Sequence, residues 1–232
     1  MNKNIDLLDQ PLYYPAFASK LTGLTTGRIK RWLRGYEFEY KTSGDEFLVH
    51  SKSDPVIRSI HEELPQYVSF LELIDLLFVE KFLKQGYSLQ KIRLALSEFY
   101  KLTGQNHFAH ERFFTFQKGI YIDKEHISYE LLSGCQGAMT EFVERLGAQI
   151  DFHTVSRFPI RWYPVGREKL IVIDPFISFG RPTIDGTGIN TETIFNMYIG
   201  EDKDIEKVGF WMNLNHNQIE AAVKFETNLE AA

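Results

Sequence analysis

The sequence predicts a mainly helical α+β fold, and three observations carry that prediction. Apolar residues recur at helical spacing between Pro15 and Leu33, Phe70 and Phe78, Leu89 and Phe99, Met139 and Leu146, and again beyond Thr191. Short alternating or continuous apolar runs stand between them as strands: Glu37–Lys41, Glu46–His50, Phe113–Gln117, Ile120–Asp123, Ile160–Val165 and Leu170–Asp174. Glycines and capping residues punctuate the boundaries, which divides the chain into a head (1–104), a small α/β connector (105–168) and a C-terminal trihelical unit (169–232).

The 232 residues are 44% hydrophobic and 25% charged, which excludes wholesale disorder. A single cysteine, Cys135, excludes an intrachain disulfide framework and fits a reducing cytosol. No apolar run approaches the ~18 residues that span a bilayer, so a cytoplasmic protein without membrane partners is expected. The formal net charge of −5 is unevenly spread. Gln10 to Tyr36 holds five basic residues (Lys20, Arg28, Lys30, Arg31, Arg34) and no acid, leaving −10 on the rest. From Leu170 onward, four basic residues face ten acids. Local charge governs contact with nucleic acid, so a basic head on an acidic body implies two different partners.

The head begins with a helix over Pro15–Thr22, opened by a proline whose missing N–H is harmless at that position. Ala18 and Leu21 lie inward with Phe17 beside them; Gly23 suits a turn, and Thr25 or Thr26 can cap the next helix. There Ile29, Trp32 and Leu33 share one face, and Arg28, Lys30, Arg31 and Arg34 surround the rest. Two helices joined by a glycine turn, the second apolar on one side and basic on the other, form a helix-turn-helix pattern. Its Arg and Lys side chains suit guanine edges and phosphates. Glu37–Lys41 and Glu46–His50 around Thr42-Ser43-Gly44-Asp45 read as a hairpin wing, with Lys41 and Lys52 within reach of backbone phosphates. A helix over Ser69–Gln85 follows, with Phe70, Leu73, Ile74, Leu77 and Phe78 inward, then a Ser88-capped helix burying Leu89, Ile92, Leu96 and Phe99 and closed by Gly104.

Phe17-Ala18-Ser19-Lys20-Leu21-Thr22-Gly23-Leu24-Thr25, Ile29-Lys30-Arg31-Trp32 and Lys84-Gln85-Gly86-Tyr87-Ser88-Leu89-Gln90-Lys91-Ile92-Arg93 together resemble the DNA-binding domain of the MerR family. The resemblance covers about residues 12–103 and implies binding of double-stranded operator DNA through Thr25, Thr26, Arg28, Lys30, Arg31, Arg34 and Lys41. The other use of such a shape is packing or protein contact, with the cations as a solvated face. No cysteine cluster follows, which argues against a metal-sensing regulator.

In the connector, a helix over Gly137–Ala148 places Met139, Phe142, Val143 and Leu146 inward. Trp162 beside Arg161 reads as a core or interface residue rather than a base-stacking platform. After the Leu170–Asp174 strand, two prolines and three glycines between Pro175 and Ile189 make tight turns. The span lacks the Gly-Lys-Ser/Thr ending of a phosphate-binding loop. Three helices then start near Thr191, at Asp204 and after Asn215, the last burying Ile219, Ala222 and Val223. Glu220, Glu226 and Glu230 against Lys224 on that last helix would repel phosphates, which points this unit to protein contacts.

Ile171-Val172-Ile173-Asp174-Pro175, Phe179-Gly180-Arg181-Pro182-Thr183-Ile184 and Gly188-Ile189-Asn190-Thr191-Glu192-Thr193-Ile194 are similar to the hallmark of a VapB-type antitoxin family long catalogued as a domain of unknown function. Gly200-Glu201, Ile205-Glu206-Lys207-Val208, Leu214 and Gln218 to Glu226 fit its later pattern, while Phe210-Trp211 stands where that pattern has a more polar turn. With the MerR-like head, the chain resembles the longer VapB antitoxins over nearly its whole length. What that implies is a type II antitoxin that binds and blocks a PIN-domain ribonuclease toxin and represses the shared operon; a homodimer is expected because operators of helix-turn-helix proteins are usually palindromic. Asp174, Phe179, Gly180, Arg181, Pro182, Gly186 and Gly188 are then either toxin-binding residues or a structural turn. A stand-alone MerR-like regulator sensing a small ligand is the alternative.

Catalysis has no residue set to stand on, and neither cofactor nor metal is expected. The histidines at 50, 61, 107, 110, 126, 153 and 216 are scattered, and only His107 and His110 are close. Asp174 and Asp185 flank the turns, where capping backbone N–H groups is the common use of aspartate. No serine-nucleophile motif is present, and Cys135 has no histidine beside it.

Overall fold

The computed structural model describes residues 7–41, 48–57, 67–104, 107, 109 and 145–231. Helix and sheet are mixed, and the sheets are antiparallel. Strand β1 (Pro11–Tyr13) leads into α1 (Pro15–Thr22) and α2 (Thr26–Arg34), followed by the wing strands β2 (Tyr36–Lys41) and β3 (Leu48–Ser53). A short β4 (Val68–Ser69) pairs with β1 and opens α3 (Phe70–Lys84); α4 (Leu89–Thr103) closes the head. Beyond residue 145 lie β5 (Ile150–Phe152), β6 (Pro159–Trp162), β7 (Ile171–Ile173) and β8 (Pro182–Ile184), hydrogen-bonded in that order as one sheet. Helices α5 (Thr191–Gly200), α6 (Ile205–Met212) and α7 (His216–Glu230) complete the chain. The strands predicted at Phe113–Gln117 and Ile120–Asp123, Cys135, the wing tip and all but the end of the Gly137–Ala148 helix fall outside the described residues. Residues 145–148 are helical, and Leu146 is buried.

Helix α3 starts at a reciprocal cap. The Glu72 N–H donates to Ser69 Oγ at 3.1 Å, and the Ser69 N–H donates to Glu72 Oε2 at 2.8 Å. Such a cap contributes about 1 kcal/mol. The sequence predicts a one-sided apolar stripe here, but α3 is buried on nearly every side, Glu72, Asp75 and Glu80 included. It is the axle of the head rather than a surface helix. Asp75 is tolerated inside because His107 Nδ1 lies 2.6 Å from one carboxylate oxygen and the Ala109 N–H donates to the other at 2.8 Å.

The connector strand is shifted from the expected Ile160–Val165 to Pro159–Trp162, and Trp162 is a core residue. β8, with a proline as its first residue, lies at the sheet edge where no ladder donor is needed from it. Two apolar cores result. The larger joins the head to Leu146, Ile150, Trp162 and Ile173; the smaller gathers Ile171, Ile184 and the last three helices. β7 straddles them, with Ile173 in one and Ile171 in the other, and Leu21 of α1 packs against both.

Candidate functional site

Three local devices aim α2. Gly23 takes the left-handed conformation (φ 72°, ψ 9°) that ends α1, and its N–H donates to the Ser19 carbonyl at 2.9 Å. Thr25 is the cap, its hydroxyl accepting the Arg28 N–H at 3.3 Å, while Thr26 is the first helical residue. Ile29, Trp32 and Leu33 are buried, so α2 cannot rotate, and Thr25, Thr26, Arg28, Lys30 and Arg31 are left exposed. Arg34 differs: it is half-buried, and neither its Nε nor the buried Glu72 Oε1 has a hydrogen-bond partner. Burial lowers its guanidinium below the ordinary value, with nearby Glu72 pulling the other way. Arg34 is thus less available to an outside partner than the exposed cations of α2.

The wing is anchored at its root. The Val56 and Ile57 N–H groups donate to the Trp32 carbonyl at 2.7 and 3.0 Å. Gly35 (φ 74°) lies so close to the Ser53 carbonyl that a Cβ there would overlap it. Pairing runs from Tyr36 opposite Ser53 to Lys41 opposite Leu48, longer than predicted on the second strand. Lys41 and Lys52 are exposed, yet they share a face with Glu37 and Glu39, which leaves that face without net positive charge. The other face carries Tyr36, Phe38 and Tyr40 in the open, successive rings 5.6 and 6.0 Å apart. Their i, i+2 spacing was visible in the sequence, whereas their exposure was not.

Between α2, the wing root, α3 and α4 lies a groove of about 540 Å³. Arg28 and Arg31 enter it from one side and Lys84 and Arg93 from the other, with Trp32 and Tyr36 in the wall. Its one acid, Glu80, pairs with Lys84. Arg93 is held by the Asp54 carbonyl at 2.7 Å and the Ser53 hydroxyl at 3.2 Å, while its Nε has no hydrogen-bond partner. Sequence reasoning missed Lys84 and Arg93 as site residues because they lie 50 or more positions from α2.

A second constellation surrounds the turns after β7. Buried Asp174 accepts from Arg161 Nε at 2.7 Å and from the Phe176 N–H at 2.8 Å, so it is a structural brace. Ser178, Phe179 and Gly180 follow with φ of 49°, 54° and 69°, three consecutive left-handed residues. Such a conformation costs about 1–3 kcal/mol at a non-glycine residue and persists only where neighbours over-determine it. Here the Tyr13 hydroxyl donates to the Gly180 carbonyl at 3.0 Å, and the Ser178 hydroxyl donates to the Gly188 carbonyl at 2.9 Å. A Cβ on Gly180 would overlap the Tyr13 hydroxyl. Burial, aided by Asp174, pushes the Tyr13 phenol well above its usual range, which keeps it a donor. Gly186 and Gly188 also have positive φ, and Pro182 is buried in β8. Of the seven residues singled out in this span, Phe179 and Arg181 present exposed side chains: Phe179 is 85% exposed, and Arg181 pairs with Glu192 at 2.9 Å.

This stretch has relatives. Residues 171–225 match a family described as a protein of unknown function, DUF433. No curated protein matches the chain. In fold it is similar to Rv2018 from Mycobacterium tuberculosis, known from an X-ray crystal structure, with a TM-score of 0.61 over 93% of this chain and 99% of that one. At 17% identity the likeness speaks for the fold alone.

The matched stretch ends within α7; Asp204 caps α6 by accepting the Lys207 N–H at 3.0 Å, and an Asn215–Gln218 reciprocal cap opens α7. α7 buries Ile219, Ala222, Phe225 and Leu229; Val223, expected inside, is half-buried, and Phe225 takes the interior place. Phe210 and Trp211 are exposed (81% and 61%), their rings packed edge to face at 5.7 Å. Glu220 and Glu230 are exposed, and half-buried Glu226 holds the Thr191 hydroxyl. Among the described residues, no three His, Cys, Asp or Glu side chains are grouped to hold a metal ion, and no helix is long and apolar enough to cross a membrane.

Proposed function

We propose that this chain is an antitoxin of a type II toxin–antitoxin system, working as a homodimer. Its basic MerR-like winged helix-turn-helix head binds the operator of its own operon. Its acidic C-terminal unit holds and blocks a PIN-domain ribonuclease toxin, and the chain performs no catalysis of its own. The observation that carries this reading is the separation of charge onto rigid elements. Arg28, Lys30 and Arg31 stand exposed on a helix locked by its buried face, and the groove adds Lys84 and Arg93. The stretch from Leu170 instead carries six more acids than bases. Phosphates favour the first surface and a basic protein the second.

The test has two arms. In gel-shift titrations on DNA upstream of its gene, replacing Arg28, Lys30 and Arg31 with Ala should weaken binding and flatten the salt dependence by about 0.9 log unit per lost phosphate contact. Unchanged binding refutes the head assignment. Co-expression with the adjacent reading frame, followed by pull-down, tests the other end.

A stand-alone regulator responding to a small anion is the second reading, favoured by the groove, where such a ligand would compete for Arg28 and Arg31. A gene without a toxin neighbour, and a phosphorylated metabolite that raises the melting temperature, would favour it.

A further inference from the structure

We infer that the left-handed turn Ser178–Gly180 is a rigid mount whose purpose is to present Phe179, and that Phe179 is the anchor inserted into an apolar pocket, rimmed by basic groups, on the protein partner of the C-terminal unit. This rests on the two-ended reading above. Of the two non-glycine residues held left-handed here, Ser178 gains a hydrogen bond, while Phe179 gains no burial: it is 85% exposed at φ 54°, ψ 40°. A residue there for packing would be inside, and one there for the turn alone would be glycine, as at position 180. The surrounding bonds all hold backbone. Tyr13 fixes the Gly180 carbonyl, Ser178 reaches the Gly188 carbonyl, and Asp174 caps Phe176 while braced by Arg161. A backbone pre-set in this way loses little freedom on binding and carries its side chain at a fixed place, which suits an interface anchor.

The occupant follows from shape and charge. Phe179 projects outward, so its complement is concave, which a small ligand is not. Arg181, two residues on, is paired with Glu192, so its charge is partly offset before it could meet phosphates or an anionic lipid surface. A second copy would oppose one acidic surface with another, since the stretch from Leu170 carries ten acids against four bases. A basic protein with an apolar pocket meets both conditions. Phe176, three residues earlier, is also an exposed aromatic, at 44%.

The experiment uses the full-length chain and the purified product of the adjacent reading frame, with binding followed by biolayer interferometry and stability by thermal melting. F179A should weaken binding at least ~30-fold, the threshold of an interface anchor. F179G should lose binding equally while melting at the same or a higher temperature, because glycine enters this conformation without a Cβ penalty. Wild-type binding that survives F179A within threefold overturns the inference and leaves the two-ended reading intact. A drop in melting temperature for F179G, in step with lost binding, also overturns it by making the ring structural. A wild-type chain that does not bind that product overturns the two-ended reading and the anchor with it. If sedimentation shows self-association that F179A abolishes, the occupant is a second copy and the inference is wrong.

Discussion

His107 lies at a distance of 2.6 Å from Asp75 and 3.7 Å from Asp9, and its side chain is 5% exposed. Burial alone would lower its pKa, but the two carboxylates outweigh burial and raise it to about 10. The folded protein therefore holds a proton on His107 that the unfolded chain releases near its ordinary value of about 6.5. Replacing His107 with Ala leaves the Asp75 carboxylate buried without its cation. Breaking one side of such a pair costs about 3–5 kcal/mol. For a chain of this length each kcal/mol lowers the melting temperature by about 2–4 °C, so H107A should melt about 6–20 °C lower at pH 7. D75N keeps an acceptor for the Ala109 N–H while removing the charge, so D75N/H107A should recover part of the loss. The pH dependence has a fixed sign. A raised histidine pKa gives stability that is complete below about pH 6.5 and is lost as pH rises through about 10. Wild-type stability, measured by urea unfolding, should decline across that window. In H107A this decline should be absent. An H107A protein within about 1 kcal/mol of wild type, or a double variant no better than the single, would refute the charge-pair account.

Two further substitutions probe the joints that aim the functional surfaces. Y13F removes the donor to the Gly180 carbonyl and leaves that oxygen buried, which should cost about 1–3 kcal/mol by urea unfolding; a neutral change would mean the turn holds without the head. G35A forces a Cβ against the Ser53 carbonyl in a glycine-only conformation, so a loss of at least ~2 kcal/mol is expected, and the proposed operator binding predicts a weaker gel shift as the hairpin root moves. Normal stability in a thermal melt of G35A would show that the root is more yielding than its geometry.

Local chemistry made much of the fold legible. Pro15, Gly23 and Thr25 marked the ends of the first two helices, and Asp204 and Asn215 those of the last two, because caps act within one turn. What escaped depended on distance along the chain. Asp75 and Glu72 look like the polar side of α3 until His107, 32 residues away, is seen to pair with Asp75, and the Ser69 cap to hold one carboxylate oxygen of Glu72. Tyr13 and Gly180 are 167 positions apart, and neither residue signals the other. Three-residue strands such as β1 and β8 are too short for an alternating pattern to reveal. Within the candidate site, the α2 cations were evident from spacing, while the half-burial of Arg34 required knowing where α3 passes.

The shared sheet has a consequence for how this protein could be cut or recombined. The family match begins at Ile171, the first residue of β7, so β5, β6 and the Tyr13 hydroxyl all lie before it. A fragment taken from residue 169 onward would expose the flank of β7 that faces Trp162 and leave the Gly180 carbonyl without its donor. An open strand edge of that kind recruits whatever strand is nearest, which for a purified fragment is another molecule of itself. A graft onto a different head therefore needs its junction before Ile150, plus a hydroxyl delivered from the new head to position 180. The acidic end is thus built as one sheet with β5 and β6, and a head that brings no hydroxyl to the place of Tyr13 would join it at the stability cost predicted for Y13F.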